Sequence, residues 1–146
     1  MITTKSGNYF ESKIRREGVL ENGQQAKLNE MYVVRADTFT ETESRITSYA
    51  GQYFQGEFEV LTEVKAKYKE IFFSDNAEDE IFYKVCVAFI TLDEVSGRER
   101  KSKVFYLVQG SSVESARKNV EEVMNGTMTD YKIVSLAETN IVDYIE

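Results

Sequence analysis

The chain has 146 residues, of which 42 % are hydrophobic and 29 % are charged, and it contains no histidine, no proline and one cysteine. The absence of histidine excludes Ser-His-Asp and Cys-His catalytic machinery and any zinc site that needs imidazole, and a single cysteine excludes an intramolecular disulfide. A net charge of −7 excludes a purely electrostatic, histone-like DNA binder, although a basic groove embedded in an acidic protein can still hold a single strand.

The first half of the chain predicts strands, a hairpin turn and one helix. Alternating apolar residues and apolar runs predict strands at 8–17, at about 27–36, at 56–67 and at 68–73. The Asn22-Gly23 pair predicts the turn between the first two strands, because both residues accept a positive φ. Thr38 and Glu41 form a capping-box pattern, so we expect a helix that begins at Thr38 and ends near Gly51.

The second half predicts the same order of elements. Strands are expected at 81–92, 101–108, 129–136 and 140–145. Ser96-Gly97 predicts the turn between the first two of these strands. Ser111 or Ser112 is expected to cap the following helix, with Glu114 as the capping-box partner. Gly126 is expected to close that helix.

The stretch 81–92 is the most apolar part of the chain, and it predicts a central strand that is covered on both faces. Cys86 lies inside this stretch. We therefore expect Cys86 to be a buried small apolar residue rather than a reactive thiol.

The two halves match each other at a spacing of 73 to 74 residues. Residues of the same type recur at an offset of 74 in four pairs: Gly23 and Gly97, Lys27 and Lys101, Tyr32 and Tyr106, and Val34 and Val108. The helix residues Phe39, Ile46 and Tyr49 match an apolar series in the second half, so we expect them in the core. The expected fold class is α+β, with mainly antiparallel sheets and two helices. We expect two tandem β-β-α-β(-β) repeats, 9–73 and 81–146, that form one domain, 1–146, and are related by a pseudo-two-fold axis.

The join between the repeats, 74–80, is acidic and lacks large apolar residues, so we expect a solvated linker. Three of its carboxylates offer an alternative, a divalent-metal loop built from Asp75, Glu78 and Asp79. The segment lacks the regular ligand spacing and the mid-loop glycine of a calcium hand, so no metal site is expected.

A second acidic run, Glu57, Glu59 and Glu63, alternates along a predicted strand and could gather as paired carboxylates. The matching positions of the second repeat are Asp130, Lys132 and Leu136, so the second repeat does not keep the pair. We therefore interpret the run as a solvated strand face and expect no catalytic residues.

Basic residues and tyrosines cluster on the first hairpin of each repeat. In the first repeat they are Tyr9, Lys13, Arg15, Arg16, Lys27 and Tyr32. In the second repeat they are Tyr83, Arg98, Arg100, Lys101, Lys103 and Tyr106. Basic side chains that hold phosphates, beside rings on which bases stack, are the physical requirement for binding a single strand. The alternative is that these residues form only the solvated face of a sheet.

Two resemblances bear on this cluster. Duplicated sheet-plus-helix units resemble the architecture of Whirly and Pur-type single-strand binders in their number of elements. Four stretches, 63–75 (EVKAKYKEIFFSD), 89–94 (FITLDE), 126–131 (GTMTDY) and 137–141 (AETNI), are similar to an uncharacterised domain family of gut bacteria and of their crAss-like phages and mobile elements. This second resemblance implies a small cytosolic protein of phage or mobile-element context, and it carries no catalytic residue over to this chain.

The sequence therefore predicts a non-enzymatic single-stranded nucleic-acid-binding protein of phage or mobile-element DNA metabolism, without a cofactor. Because no apolar run reaches membrane-spanning length and the first residues lack a signal-peptide pattern, we expect a cytoplasmic protein without membrane association. The alternative is an acidic protein-interaction module, such as a host-directed inhibitor or an assembly accessory protein, that does not bind nucleic acid. A third hypothesis is a carboxylate enzyme that uses Mg²⁺ or Mn²⁺. The sequence leaves the oligomeric state open.

Overall fold

The computed structural model describes all 146 residues, which form nine strands and two helices. The strands are β1 (Ile2–Ser6), β2 (Tyr9–Val19), β3 (Gln25–Arg35), β4 (Phe58–Lys65), β5 (Glu70–Ser74), β6 (Ile81–Leu92), β7 (Glu99–Gly110), β8 (Tyr131–Glu138) and β9 (Ile141–Ile145). The helices are α1 (Phe39–Tyr53) and α2 (Val113–Met124). Most strand pairs are antiparallel, and the expected α+β class is confirmed. Neither helix is long and apolar enough to cross a bilayer.

The chain divides into two compact units, each with one sheet and one helix. The first unit comprises residues 7–67 and 140–146, and the second unit comprises residues 1–6 and 68–139.

The first unit has a four-stranded sheet in the order β4-β2-β3-β9. β2 pairs antiparallel with β3 and β4, whereas β9 pairs parallel with β3. Helix α1 contributes Ile46 to a buried cluster with residues from three of the strands, namely Phe10, Ile14, Tyr32, Val34 and Ile145. Ile46 is fully buried, which stabilises the packing of α1 on this face by roughly 1.5–3 kcal/mol.

The second unit has a five-stranded sheet in the order β1-β5-β7-β6-β8. Helix α2 covers one face, and its buried residues Ala116, Val120 and Met124 pack in a cluster with Phe72, Tyr83, Val85, Val87, Tyr106 and Val108. Strand β6 is the central strand predicted for 81–92: it pairs on both sides and is buried from Phe82 to Ala88 except at Lys84. Cys86 is buried, as predicted.

The last strand of each predicted repeat lies in the sheet formed mainly by the other repeat. β5 pairs parallel with β7, and β9 pairs parallel with β3. The compact units therefore differ from the predicted repeats 9–73 and 81–146, although both repeats follow the order β-β-α-β-β. A matching pattern along the chain does not reveal which sheet a strand joins, and the pseudo-two-fold axis stays a prediction.

Side chains cap both helices at their N-termini. The Thr38 hydroxyl accepts from the Glu41 N–H at 3.1 Å, which confirms Thr38 as the predicted cap. The return bond of the box differs, because Glu41 accepts from the Asp37 N–H at 3.1 Å rather than from that of Thr38. In α2 the cap is Ser112, which accepts from the Ser115 N–H at 3.1 Å. The prediction of Glu114 as the capping-box partner was wrong. The partner in a capping box is the third residue after the cap, which is Ser115 when the cap is Ser112, and Glu114 is only the second.

The predicted helix ends and core stripe need two corrections. α1 continues past Gly51 to Tyr53, because Gly51 lies in helical backbone and nothing crowds it. Phe39 was expected in the core, but it lies at the first position of α1 and is 55 % exposed. Both hairpin turns are confirmed, since Gly23 and Gly97 have φ values of 84° and 70°.

Candidate nucleic-acid interface

Strand β7 of the second unit presents basic residues on the sheet face opposite α2. Tyr106 and Val108 pack in the cluster beneath α2. Side chains alternate along a strand, so Lys101, Lys103 and Phe105 lie on the opposite face. Both lysines are exposed, and the Phe105 ring is 40 % exposed.

Strand register adds a third lysine to this face. Lys103 is paired with Ala88, and Ala88 is paired in turn with Lys132 of β8. Neighbouring strands are about 4.8 Å apart, so the backbones of Lys103 and Lys132 lie about 10 Å apart across β6. Lys132 is exposed like the other two. We call Lys101, Lys103, Phe105 and Lys132 the lysine face.

Carboxylates lie only at the hairpin end of this face. The next row towards the core, Phe105-Cys86-Ser135, carries no charge. In the opposite direction Asp130, which precedes β8, lies across Ile90 from Lys101, and Glu99 follows at the start of β7. An anion can therefore contact Lys103 and Lys132, which flank Ala88, without a carboxylate between them.

The matching face of the first unit alternates cations with carboxylates. Arg15 is paired with Asn29 on one side and with Glu59 on the other, and its Nε donates to Asn29 Oδ1 at 3.2 Å. Lys27 is paired with Glu17 in the neighbouring row. A small polar cavity of about 80 Å³ lies among these side chains. The predicted cations Arg15 and Lys27 are thus present and exposed, but each has a carboxylate beside it.

Lys13 also lies on this face, half-buried between Met31 and Thr62 on the neighbouring strands. No carboxylate occupies its row. It is separated along β2 from the more exposed Arg15 by Ile14, which points to α1.

Arg16 does not join the other cations, because it points to the α1 side of the sheet. Its Nε donates to Glu30 Oε1, its Nη2 lies 3.4 Å from Glu30 Oε2, and the guanidinium carbon is 4.9 Å from the centre of the Phe54 ring. The hydrogen bond that Arg16 donates to Glu30 raises the pKa of Arg16. Burial opposes ionisation of Glu30, but Arg16 and the Tyr32 hydroxyl outweigh it and lower the pKa of Glu30. Arg16 therefore serves a paired, structural role.

The two arginines predicted at the second hairpin lie away from the lysine face. Arg100 lies on the α2 side of β7, where its Nη2 is 3.4 Å from Asp93 Oδ2. Arg98 lies in the turn and is exposed. Asp93 organises this turn, because its Oδ1 accepts from the backbone N–H groups of Val95 and Ser96, which lower its pKa.

The four predicted stacking tyrosines belong to the core, and this corrects the sequence prediction. Tyr9, Tyr32, Tyr83 and Tyr106 are 1 %, 2 %, 3 % and 6 % exposed. A ring buried to this extent presents no face to a base. Burial also raises the pKa of Tyr32, Tyr83 and Tyr106.

Sequence reasoning missed Phe105 and Lys132 as members of the face. The sequence carried a signal for Phe105. Phe105 is separated from Lys101 and Lys103 by an even number of positions and so shares their face of the strand, whereas Tyr106 does not. Lys132 could not be assigned to the face without the pairing of β8 to β6, which includes a register shift between Cys86 and Val87.

The acidic join is not a fully solvated linker, because Asp79 is only 6 % exposed. Its carboxylate accepts from the hydroxyls of Ser74 and Ser115 and from the Asn119 amide, at 2.5, 2.7 and 3.2 Å. Burial opposes ionisation, but these hydrogen bonds outweigh it and lower the pKa of Asp79. The other two carboxylates of the hypothetical metal loop, Asp75 and Glu78, are exposed. No cluster of three or more carboxylate or thiol side chains suited to a metal is present.

The second acidic run is split between two faces of the sheet. A register shift in the β2–β4 pairing between Lys13 and Ile14 places Glu63 on the α1 side, opposite to Glu59. Glu63 Oε1 is buried without a hydrogen-bond partner. Burial and the nearby Glu43 raise the pKa of Glu63.

Comparisons with known proteins give one match. No curated protein and no solved structure matches the chain significantly. A family model matches residues 8–146, a range that includes both helices and every strand except β1. The chain belongs to the family described as "Domain of unknown function (DUF4494)".

Proposed function

We propose that this protein binds single-stranded nucleic acid through the lysine face of the second unit. The observation that carries the proposal is the row Lys103-Ala88-Lys132, in which two exposed lysines flank a small apolar residue. Lys101 extends the same face, about 7 Å further along β7. Three cations on one face supply the electrostatic contacts that a phosphate backbone requires.

Phe105 supports the same proposal as a stacking group. It lies two residues from Lys103 on the same strand face and is partly exposed. Stacking on an aromatic ring stabilises each bound base by about 1–3 kcal/mol and tolerates any sequence. Lysines at phosphates with Phe105 at a base would bind a single strand without sequence preference.

The biological setting is a second part of the proposal. The resemblance of four chain segments to a family of gut bacteria, crAss-like phages and mobile elements supports a role in phage or mobile-element DNA metabolism. No enzymatic step is required for this role, since binding alone protects or presents a single strand.

Fluorescence anisotropy with a labelled oligothymidine at several salt concentrations tests the proposal. Binding should weaken as salt rises, and changing Lys101, Lys103 and Lys132 together to alanine should reduce the slope of log K against log [salt] by about 2. A matched control changes Lys65, Lys67 and Lys118, which are also exposed; the first two belong to the first unit, and Lys118 lies on α2. The control should leave most of the slope intact.

Two outcomes would overturn the proposal. One is the absence of binding at low salt. The other is an equal loss in the lysine-face variant and in the control, which would show only a response to net charge. Retention of a basic protein partner, together with no nucleic-acid binding, would favour the acidic protein-interaction module instead.

A further inference from the structure

We infer that the first unit carries a second binding site, a cleft that takes a nucleobase stacked on Tyr53. The cleft lies between the β2–β3 hairpin and the segment that joins α1 to β4, and its volume is about 460 Å³. This volume lies within the range of small-molecule sites. Its lining includes Arg16, Gln25, Tyr53 and Gln55. We call it the Tyr53 cleft.

Tyr53 provides the stacking surface. It is 68 % exposed at the end of α1, yet its ring is held by its neighbour Tyr49, with ring centres 4.7 Å apart and an interplanar angle of 40°. Tyr49 in turn packs against Tyr32 and Phe54. An exposed ring already fixed by other rings loses little conformational freedom when a ligand stacks on it.

Arg16 adds a planar donor of fixed orientation. Of its five N–H groups, three point to acceptors: Nε and Nη2 donate to Glu30, and Nη1 donates to the Glu17 carbonyl at 3.2 Å. Its position against the Phe54 ring further limits its motion. The remaining N–H groups can donate to the ring nitrogens or carbonyl oxygens of a base.

The two glutamines suit the edge of a base. A primary amide both donates and accepts hydrogen bonds, as a nucleobase edge does. Gln25 and Gln55 are both exposed and stand on different segments that border the cleft. A base stacked on Tyr53 would have these amides within its reach.

The charge of the cleft selects the base over the phosphate. Glu17 lines the cleft, and Glu30 neutralises Arg16. A phosphate placed here would be repelled by the carboxylate of Glu17, whereas a neutral base would not be. The ligand is therefore a nucleoside, or one base of a strand whose phosphates remain outside the cleft.

Two-dimensional NMR with adenosine as the probe tests this inference on the complete chain. We expect saturable shifts of the Gln25 and Gln55 side-chain amides and of the Arg16 Nε–H. Tyr53→Ala should weaken adenosine binding by about tenfold or more, and Tyr53→Phe should retain it. Phe39→Ala is the matched control, since Phe39 lies at the other end of the same helix and outside the cleft. If Tyr53→Ala fails to fold, Gln55→Ala serves instead and should also weaken binding.

Further probes separate the sources of the base. A labelled oligoadenosine strand that competes with adenosine would show that the cleft takes a base within a strand, and adenosine monophosphate should bind more weakly than adenosine. The absence of saturable shifts, equal binding by Tyr53→Ala, or binding of glucose in place of adenosine would overturn the inference. The variant that lacks the three lysines of the lysine face should bind adenosine as wild type does. A negative result for one of the two proposed sites therefore does not affect the test of the other.

Discussion

The Ser115 hydroxyl donates a hydrogen bond of 2.7 Å to Asp79 Oδ1. The same oxygen of Ser115 accepts from the Ser111 N–H at 3.2 Å. Ser115 thereby joins the first turn of α2 to the segment that follows β5. Asn119, one turn further along α2, donates to Asp79 Oδ2 and to the Gln109 carbonyl. A single buried carboxylate thus fixes a loop, a helix start and the end of β7.

Asp79→Ala should therefore destabilise the protein. The change leaves the donors of Ser74, Ser115 and Asn119 without their acceptor, and each buried unpaired donor costs about 1–3 kcal/mol. Because water can reach part of this site, we expect a loss of about 2–3 kcal/mol in the free energy of unfolding. Urea denaturation at pH 7 measures this loss.

The pH dependence of this loss provides its control. The pKa of Asp79 is lower in the folded protein than its ordinary value of 3.8. Its contribution is therefore complete above that value and is lost as the pH falls through the folded pKa. The difference between wild type and Asp79→Ala should narrow below pH 3.8. A difference that stays constant with pH would contradict the role of the ionised carboxylate.

Glu63 should show the opposite dependence on pH. Burial and the charge of Glu43 raise its pKa above 4.5, so the folded state binds the proton more tightly than the unfolded state does. Its penalty is absent at low pH and grows as the pH rises through the folded pKa. Glu63→Gln should therefore stabilise the protein at pH 7 relative to wild type, and this gain should shrink towards pH 4. Thermal melts at several pH values measure this gain, and a gain that stays constant with pH would contradict the cost of ionising Glu63.

Gly110 is required where β7 meets α2. A Cβ at this position would lie 2.8 Å from the Ala116 backbone nitrogen and 2.9 Å from its Cα, and backbone atoms at such distances cannot give way without moving the helix. Gly110→Ala should destabilise the protein by roughly 1–3 kcal/mol. Gly51→Ala is the matched control, because no atom lies within 4 Å of its Cβ position. Replacing a helical glycine with alanine should stabilise the protein by about 1 kcal/mol. Calorimetry should therefore show a lower melting temperature for Gly110→Ala and a higher one for Gly51→Ala.

The strands with strong apolar patterns were predictable from the sequence. β6 has the predicted bounds, 81–92, because a continuous apolar run identifies a central strand independently of its partners. β1 was missed, since Ile2–Ser6 contains one large apolar residue and forms a strand through its pairing with β5. The exchange of β5 and β9 between the sheets was also unpredictable, because it depends on long-range pairing alone.

The candidate site was predictable in part. The lysines of β7 were identified from charge. Which aromatic residue lies beside them depends on which alternate side chains of β7 face α2. Phe105 and Tyr106 are adjacent aromatic residues, so composition alone could not assign one to the surface and the other to the core. The pairing of Arg16 with Glu30 across two strands likewise became visible only with the register and rotamers known.

A comparison of Arg16→Ala with Lys103→Ala should distinguish a cation that stabilises the fold from a cation that binds phosphate. Arg16→Ala leaves Glu30, whose side chain is 17 % exposed, without its partner, so we expect a loss of roughly 1–3 kcal/mol in the free energy of unfolding. Lys103→Ala removes an exposed side chain and should change stability by less than about 0.5 kcal/mol. Urea denaturation of both variants, with binding of oligothymidine measured in parallel, gives a crossed pattern: Arg16→Ala lowers stability, whereas Lys103→Ala lowers the salt dependence of binding. The reverse pattern would show that Arg16, and not the lysine face, meets the phosphates.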